Sequence, residues 1–412
     1  MKAQMKTIFR RAFCVLLMLC VLGSSAALAE KRTLCIAQGD VPAGFRSAHP
    51  DVSIKMPSYS SRITEMDLLM KDGLDAAVLY SGQLDMDALK SAGVLYDLSK
   101  SAVIREAVSR MHPDVQKYVT DNAGHIVALP YSLYDPSFYW LQSTWDAAGL
   151  TEEDVPQSYT ELLDFLEKWM ARTAEHPEKK ICVSRLWGAE MTGVEKYYHL
   201  TWLMDLLRFC WETQQRYAGV PVNYDDPAFV ALAERTREIG TALYKSEPRY
   251  KKRQKMQELF RSDISSGPYA NNGLEYGVSH ALPLRITRDQ PKLLRADATL
   301  WLVRADTQNP QDALALLEAV CADDTYRIHQ YGLYADSQPG AFPIRGSKEP
   351  LVVSQGWLDD WNQYDGTIVL YPFSWTWNDK PVLAFFEGKL SAADFAASLN
   401  GLVTLSWWER DE

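Results

Sequence analysis

Aromatic rings standing near carboxylates and amides are the residues of this chain whose chemistry points to a task. Tyr131, Tyr134, Phe138, Tyr139, Trp140 and Trp145 crowd into fifteen positions, and all thirteen tryptophans stand at or after Trp140. The stretch SSGPYANNG, Ser265 to Gly273, is rich in turn formers and carries Tyr269 with the amides Asn271 and Asn272. Aromatic faces pack on the C–H faces of sugar rings, while carboxylates and amides hold the hydroxyls. A cleft lined in this way suits a neutral carbohydrate. Tryptophans also fill helical cores, and most of the thirteen fit that use.

Catalytic patterns are missing. The chain has no H-E-x-x-H, no P-loop, no G-x-G-x-x-G and no G-x-S-x-G. Its seven histidines are scattered without a local ligand pair, so neither a metal site nor a cofactor is expected. Two carboxylates meeting in a cleft can hydrolyse a glycoside. No spacing here selects such a pair, and a secreted carbohydrate hydrolase is the lesser reading beside a binding protein.

Charge and the N-terminus narrow the setting. Lys2, Lys6, Arg10 and Arg11 precede the apolar run Ala12 to Leu22, and Ala27-Leu28-Ala29 gives a small-x-small pattern. This reads as a signal peptide over residues 1–29 with cleavage before Glu30. The run is short for a membrane span, and an extracytoplasmic protein, periplasmic or secreted, is expected. The 412-residue chain carries a net charge of −10, and losing four basic leader residues makes it more acidic still. Nucleic acid and anionic membranes are poor partners for such a surface. Cys35, Cys182, Cys210 and Cys321 lie beyond the leader among apolar or β-prone neighbours, which favours buried thiols.

The elements that must position the polar and aromatic groups read as α/β. Thr33–Ala37, Asp51–Met56 and Asp75–Tyr80 read as strands separated by helical spacing, a rhythm that predicts a parallel sheet. Ligands gather outside the carboxyl ends of such strands. Three turns fit that place: Gly39-Asp40, Tyr80-Ser81-Gly82, and Tyr131 after Ile126–Leu129. Asp40 equally fits a helix cap, and Tyr80 a core position. Pro130 is expected to stop its strand, and Ser143 with Asp146 has capping-box spacing for a helix from Thr144 to a left-handed cap at Gly149. Ser158 with Glu161 and Ser391 with Asp394 repeat that spacing, and Asn309-Pro310 starts another helix. Ala298–Val303 reads as a strand, and the basic run Arg249 to Lys255 as a solvated helix face. The length suggests two domains.

Read in order, several segments resemble the extracellular solute-binding proteins of ABC importers, maltose-binding-like class. FRSAHPDVSIKM resembles that family's F-x-x-x-x-P-x-I-x-V strand, and DLLMKDGLDAAVLYSG its G-x-x-P-D-V strand with Leu74 in place of proline. GHIVALPYSL then FYWLQSTWDAAGL resembles G-x-x-Y-G-L-P followed by Y-N-x-x-x-F-x-x-A-G-L. SYTELLDF, GPYANNGLEYGVSHALP, NPQDALALLEAV, GAFPIR and GKLSAADFAASL follow in the family's order. The region from about Lys180 to Glu258 departs from the pattern, which leaves the ligand open.

The resemblance implies a two-lobed periplasmic-binding-protein-like fold of type II, with lobes joined by crossing hinge strands. One lobe would hold residues 30–129 plus 290–321, the other 130–289 plus 322–412. It implies a monomer that captures a sugar-like solute by hinge closure and delivers it to a membrane permease, or a sensor on the same scaffold without transport. By position in the motifs, Asp40, Tyr80, Ser81, Tyr131, Tyr134, Tyr269 and Asn271 would contact ligand, with Tyr269 in the place of a stacking tryptophan.

Overall fold

The computed structural model describes residues 31–58, 65–175, 181–184, 198–246, 257–265, 279–282, 285–323, 340–342, 351–353, 368–370 and 380–404. β1 (Arg32–Ala37), α1 (Ala43–Ala48), β2 (Val52–Lys55), α2 (Glu65–Leu69) and β3 (Ala76–Tyr80) open the fold. β1 lies between β2 and β3 and pairs with both in parallel. β3 reads AAVLY and buries all but its tyrosine, as a strand covered on both faces must. α3 (Met86–Ala92) starts on the Asp85 carboxylate, which accepts from the Ala88 N–H, and ends at Gly93 in the left-handed conformation. α4 (Ala102–Ser109) and α5 (Pro113–Val119) lead into β4 (Leu129–Leu141).

The later elements are α6 (Gln142–Ala147), α7 (Tyr159–Glu175), β5 (Ile181–Ser184), α8 (Tyr198–Tyr217), α9 (Pro227–Ser246), β6 (Gln257–Ser265) and β7 (Ser279–Ala281). After them come β8 (Leu294–Val303), α10 (Pro310–Ala322), β9 (Gly340–Phe342), β10 (Leu351–Val353), β11 (Ile368–Leu370), α11 (Lys380–Phe386) and α12 (Ala392–Thr404). The main sheet runs β2-β1-β3-β8-β4-β6-β5, with β11 added on β8 and β7 on β4. It is mixed rather than parallel. β8 inserts antiparallel between β3 and β4, because it reaches the sheet from far along the chain and not through a local crossover.

Two apolar cores form along this sheet. The first gathers Leu34, Phe45, Leu79, Val115, Leu129, Leu133, Trp301, Leu317 and their neighbours. The second gathers Trp140, Trp145, Leu163, Phe209, Phe229, Phe260, Phe385 and Phe395. Five tryptophans pack in the second core and Trp301 in the first. Trp145 is the second core's hub. Its ring is stacked 5.3 Å from Phe165 and edge-on 5.2 Å from Phe260, and its Nε1 donates to the Thr151 carbonyl at 2.8 Å.

β4 serves both cores. Residues 129–134 pair with β8, residues 135–140 with β6 and residues 139–141 with β7. Pro130 does not stop the strand as expected. It sits opposite Leu300 beside a register shift, and a bulge tolerates a residue with no N–H to give. Leu133 and Ile368 pack in the first core, beyond the boundaries that the sequence suggested for it.

Local start signals fare unevenly. The helix after β4 begins at Gln142, not Thr144, and Gln142 Nε2 donates to Asp146 Oδ1 at 2.7 Å in place of the expected capping box. Gly149 is left-handed as expected. Ser158 Oγ accepts from the Glu161 N–H at 3.3 Å, while Glu161 reaches the N–H of Gln157 at 2.9 Å. Ser391 Oγ accepts from the Asp394 N–H at 3.1 Å. Asn309 precedes α10 but makes no cap bond; its Nδ2 donates to the Thr33 carbonyl at 3.1 Å. Cys210 is a buried free thiol, and Cys35 and Cys321 are half-buried free thiols. Burial pushes the Cys321 thiol up to about 12. The signal peptide and the basic run at 249–255 lie outside the described residues.

Candidate functional site

β8 reads LRADATLWLV, and its charged first half was missed in the sequence, which showed a strand only from Ala298. Arg295 and Asp297 are two residues apart, so a strand puts them on one face. Both are buried, at 0% and 2% exposure of their side chains. Arg295 Nη1 and Nη2 donate to the two Asp297 oxygens, each at 2.6 Å, in a bidentate pair. The guanidinium also lies 5.0 Å from the ring centre of Phe209 on α8. Arg295 thus joins the strand of one core to a helix of the other.

Some of the sequence-chosen residues stand on the strands beside this pair. Tyr80 at the end of β3 donates its hydroxyl to Asp297 Oδ2. Across the ladder, Tyr80 stands opposite Thr299 and Thr299 opposite Ser132. Tyr131 lies at the bulge, half-buried against the first core. Tyr134 in β4 is paired opposite Asp297. Burial pushes the Asp297 carboxyl up, and the Arg295 charge and the Tyr80 hydroxyl offset that push in part. Gly82 completes the corner. A Cβ there would come 2.4 Å from Tyr80 Cε1 and 3.1 Å from Asp297 Oδ1.

Ser81 corrects an expectation. It is fully buried, and its Oγ accepts from the Ala298 N–H at 2.6 Å. It fastens the end of β3 to β8 and is not presented to a solute. Tyr269 and Asn271 lie outside the described residues.

Asp40 is exposed, three residues beyond the end of β1, on the same edge of the parallel strands as Tyr80. The turn before it is tight. Gln38 has φ 58° and Gly39 φ 84°, and a Cβ on Gly39 would lie 2.5 Å from Val78 Cγ2 and 2.9 Å from the Trp301 ring. The same edge holds Glu65, at the start of α2. Its carboxylate interacts with the Gln38 side chain and the Tyr80 backbone. Burial pushes this carboxyl up, and those two hydrogen bonds pull it down. Glu65 Oε2 is buried with no hydrogen-bond partner among the described residues. Sequence reading missed Gln38 and Glu65. Gln38 sits one residue before the turn that was chosen, and Glu65 carries no local pattern.

The rim therefore presents the Asp40 and Glu65 carboxylates, the Gln38 amide and Tyr80 at the ends of β1 and β3, the latter two strands away from β4, which serves both cores. Such groups hold a polar solute by hydrogen bonds and ring contact. Among the described residues no group of three or more His, Cys, Asp or Glu side chains is placed to hold a metal ion, and no helix is long and apolar enough to cross a membrane.

This architecture is that of the two-lobed solute-binding proteins of the maltose-binding-like class. A chitin oligosaccharide binding protein shares it with a TM-score of 0.60 at 14% identity, over 92% of this chain and 99% of that one. Maltose-bound MalE3 of T. maritima shares it with a TM-score of 0.55 at 15% identity, over 90% and 99%. In sequence, the chain is 29% identical over 136 residues to the sn-glycerol-3-phosphate-binding periplasmic protein UgpB of Escherichia coli K12. That match spans 31% of this chain and 31% of the relative. No family model matches the chain.

Proposed function

We propose that the chain is an extracytoplasmic solute-binding protein and not an enzyme. It captures a small polyhydroxylated solute, a sugar or oligosaccharide, between its two cores and delivers it to the membrane permease of an ABC importer. The observation that carries this reading is the rim of Gln38, Asp40, Glu65 and Tyr80 near β4, the strand that serves both cores. The unmet Glu65 Oε2 supports it, since a solute hydroxyl would satisfy a buried acceptor. A solute touching groups from both lobes favours the closed form, because only that form makes all the contacts. Residues 30–129 plus 290–321 would form most of one lobe and 130–289 plus 322–412 most of the other. Tyr131, Tyr134, Tyr269 and Asn271 would add contacts at the crossing and from the second lobe. A cleaved leader at residues 1–29 would export the chain, which would act as a monomer.

The ligand named for the UgpB relative gives a second reading, in which the solute is sn-glycerol 3-phosphate. A thermal-shift screen followed by calorimetry, with maltose, chitin oligosaccharides and sn-glycerol 3-phosphate, decides between them. A raised melting temperature with one class names the solute class, because a ligand that binds only the folded chain stabilises it. New reducing ends from any glycan would overturn the assignment as a non-enzyme. Silence with all sugars and with glycerol phosphate would remove both readings of the solute.

A further inference from the structure

A cavity of about 430 Å³ lies between α3, α5, the end of α8 and β11. α3 and α5 pack on the first core and α8 in the second, so its walls come from both. Lys90, Lys117 and Arg216 line it. Each stands in the last turn of its helix, where the carbonyl ends favour a cation. The helix dipole accounts for each one singly. It does not account for three helix ends bringing like charges to one space.

The two carboxylates of the cavity are already engaged. Asp114 Oδ2 accepts from the Ile368 N–H at 2.8 Å, and Asp87 stands 3.8 Å from Lys90 Nζ. Lys117 is exposed and makes no ion pair among the described residues. Tyr118, Tyr217 and the three β11 residues, Ile368, Val369 and Leu370, line the rest of it.

We propose that this cavity is a second binding site, for a small organic anion with an apolar body. Lys117 and Arg216 hold its acidic head, and its body lies against Tyr118 and β11. The size is within the usual range for small-molecule sites. The site shares no side chain with the rim and does not depend on what the rim binds. Its occupant touches both cores and so biases their arrangement, which changes affinity at the rim. Tyr118 links the two places: its ring faces the cavity, and its hydroxyl is buried near Ser81 and Asp297.

The test is calorimetric titration of the purified chain with phenyl phosphate, using inorganic phosphate and phenol as controls. Phenyl phosphate is expected to bind more tightly than either control, and more weakly as salt is raised. Lys117→Glu and Arg216→Glu should each weaken it about tenfold with an unchanged circular dichroism spectrum. Lys168→Glu, an equal charge change on the exposed face of α7, should leave it unchanged. No binding at millimolar phenyl phosphate overturns the proposal. So does equal binding by Lys117→Glu, whose exposed position makes it the variant that decides if Arg216→Glu does not fold. An equal loss of binding in Lys168→Glu would show an unspecific charge effect and also overturns it.

Discussion

The Tyr80 hydroxyl donates a hydrogen bond to Asp297, a residue 217 positions later on the adjacent strand. The bond ties the rim to the buried Arg295 pair, and through it to Phe209 in the second core. Replacing Tyr80 by Phe keeps the ring and removes the donor. It should cost about 1–3 kcal/mol of stability, the range for a hydrogen bond to a charged group. Urea unfolding of the two chains measures the difference.

Asp297→Ala is a harsher change, because it leaves the Arg295 guanidinium buried without its carboxylate. About 3–5 kcal/mol should be lost. An Arg295→Met and Asp297→Leu double variant should recover much of that, since apolar replacement of both partners removes the unpaired charge. A double variant as unstable as Asp297→Ala would show that the pair does more than balance its own charge.

Glu65 makes a pH prediction with a definite sign. Its carboxyl is raised on folding, mainly by burial. The folded chain therefore holds this proton more tightly than the unfolded chain. The resulting penalty is absent in acid, below the ordinary carboxylate value, and grows as pH climbs through and above that range, from about 4 upward. Glu65→Gln should gain stability relative to the wild type over that climb. Chemical unfolding at pH 4 and pH 7 reads the difference, and parallel pH curves for the two chains would contradict it.

Gly39→Ala should destabilise by roughly 3 kcal/mol, combining a left-handed backbone with a clash against Val78 and Trp301. Gly73, also left-handed but with open space around it, is the control. Gly73→Ala should cost only the backbone share, about 1–2 kcal/mol. Differential scanning calorimetry distinguishes the two.

Tyr269→Ala should abolish solute binding without lowering the melting temperature of the unliganded chain, if the motif position assigned to it holds. Unchanged affinity in calorimetry would remove Tyr269 from the site.

Much of the first half was legible because its signals are local. The buried run at β3 and the left-handed glycine at 149 announce themselves within a few residues. What stayed hidden was non-local or violated a local rule. Charges at Arg295 and Asp297 argue against a buried strand until their pairing is known. Proline at 130 argues against a strand until the bulge is known. Ser81 looked like a ligand group because its position was right, but only the Ala298 contact shows that its hydroxyl is taken. α8 is aromatic and apolar along much of its sequence, yet it buries Asp205, Arg208 and Glu212 in one cluster. Their spacing of three and four residues lets Arg208 reach both acids, at 3.6 Å and 3.4 Å.

The place of β8 in the sheet bears on how the chain is made. Its neighbours β3 and β4 are complete once Leu141 has left the ribosome, but the strand between them begins only at Leu294. Through all the intervening synthesis the first core lacks its centre, Trp301 included, and exposes the edges that β8 will later join. The order of the strands thus delays consolidation until most of the polypeptide exists.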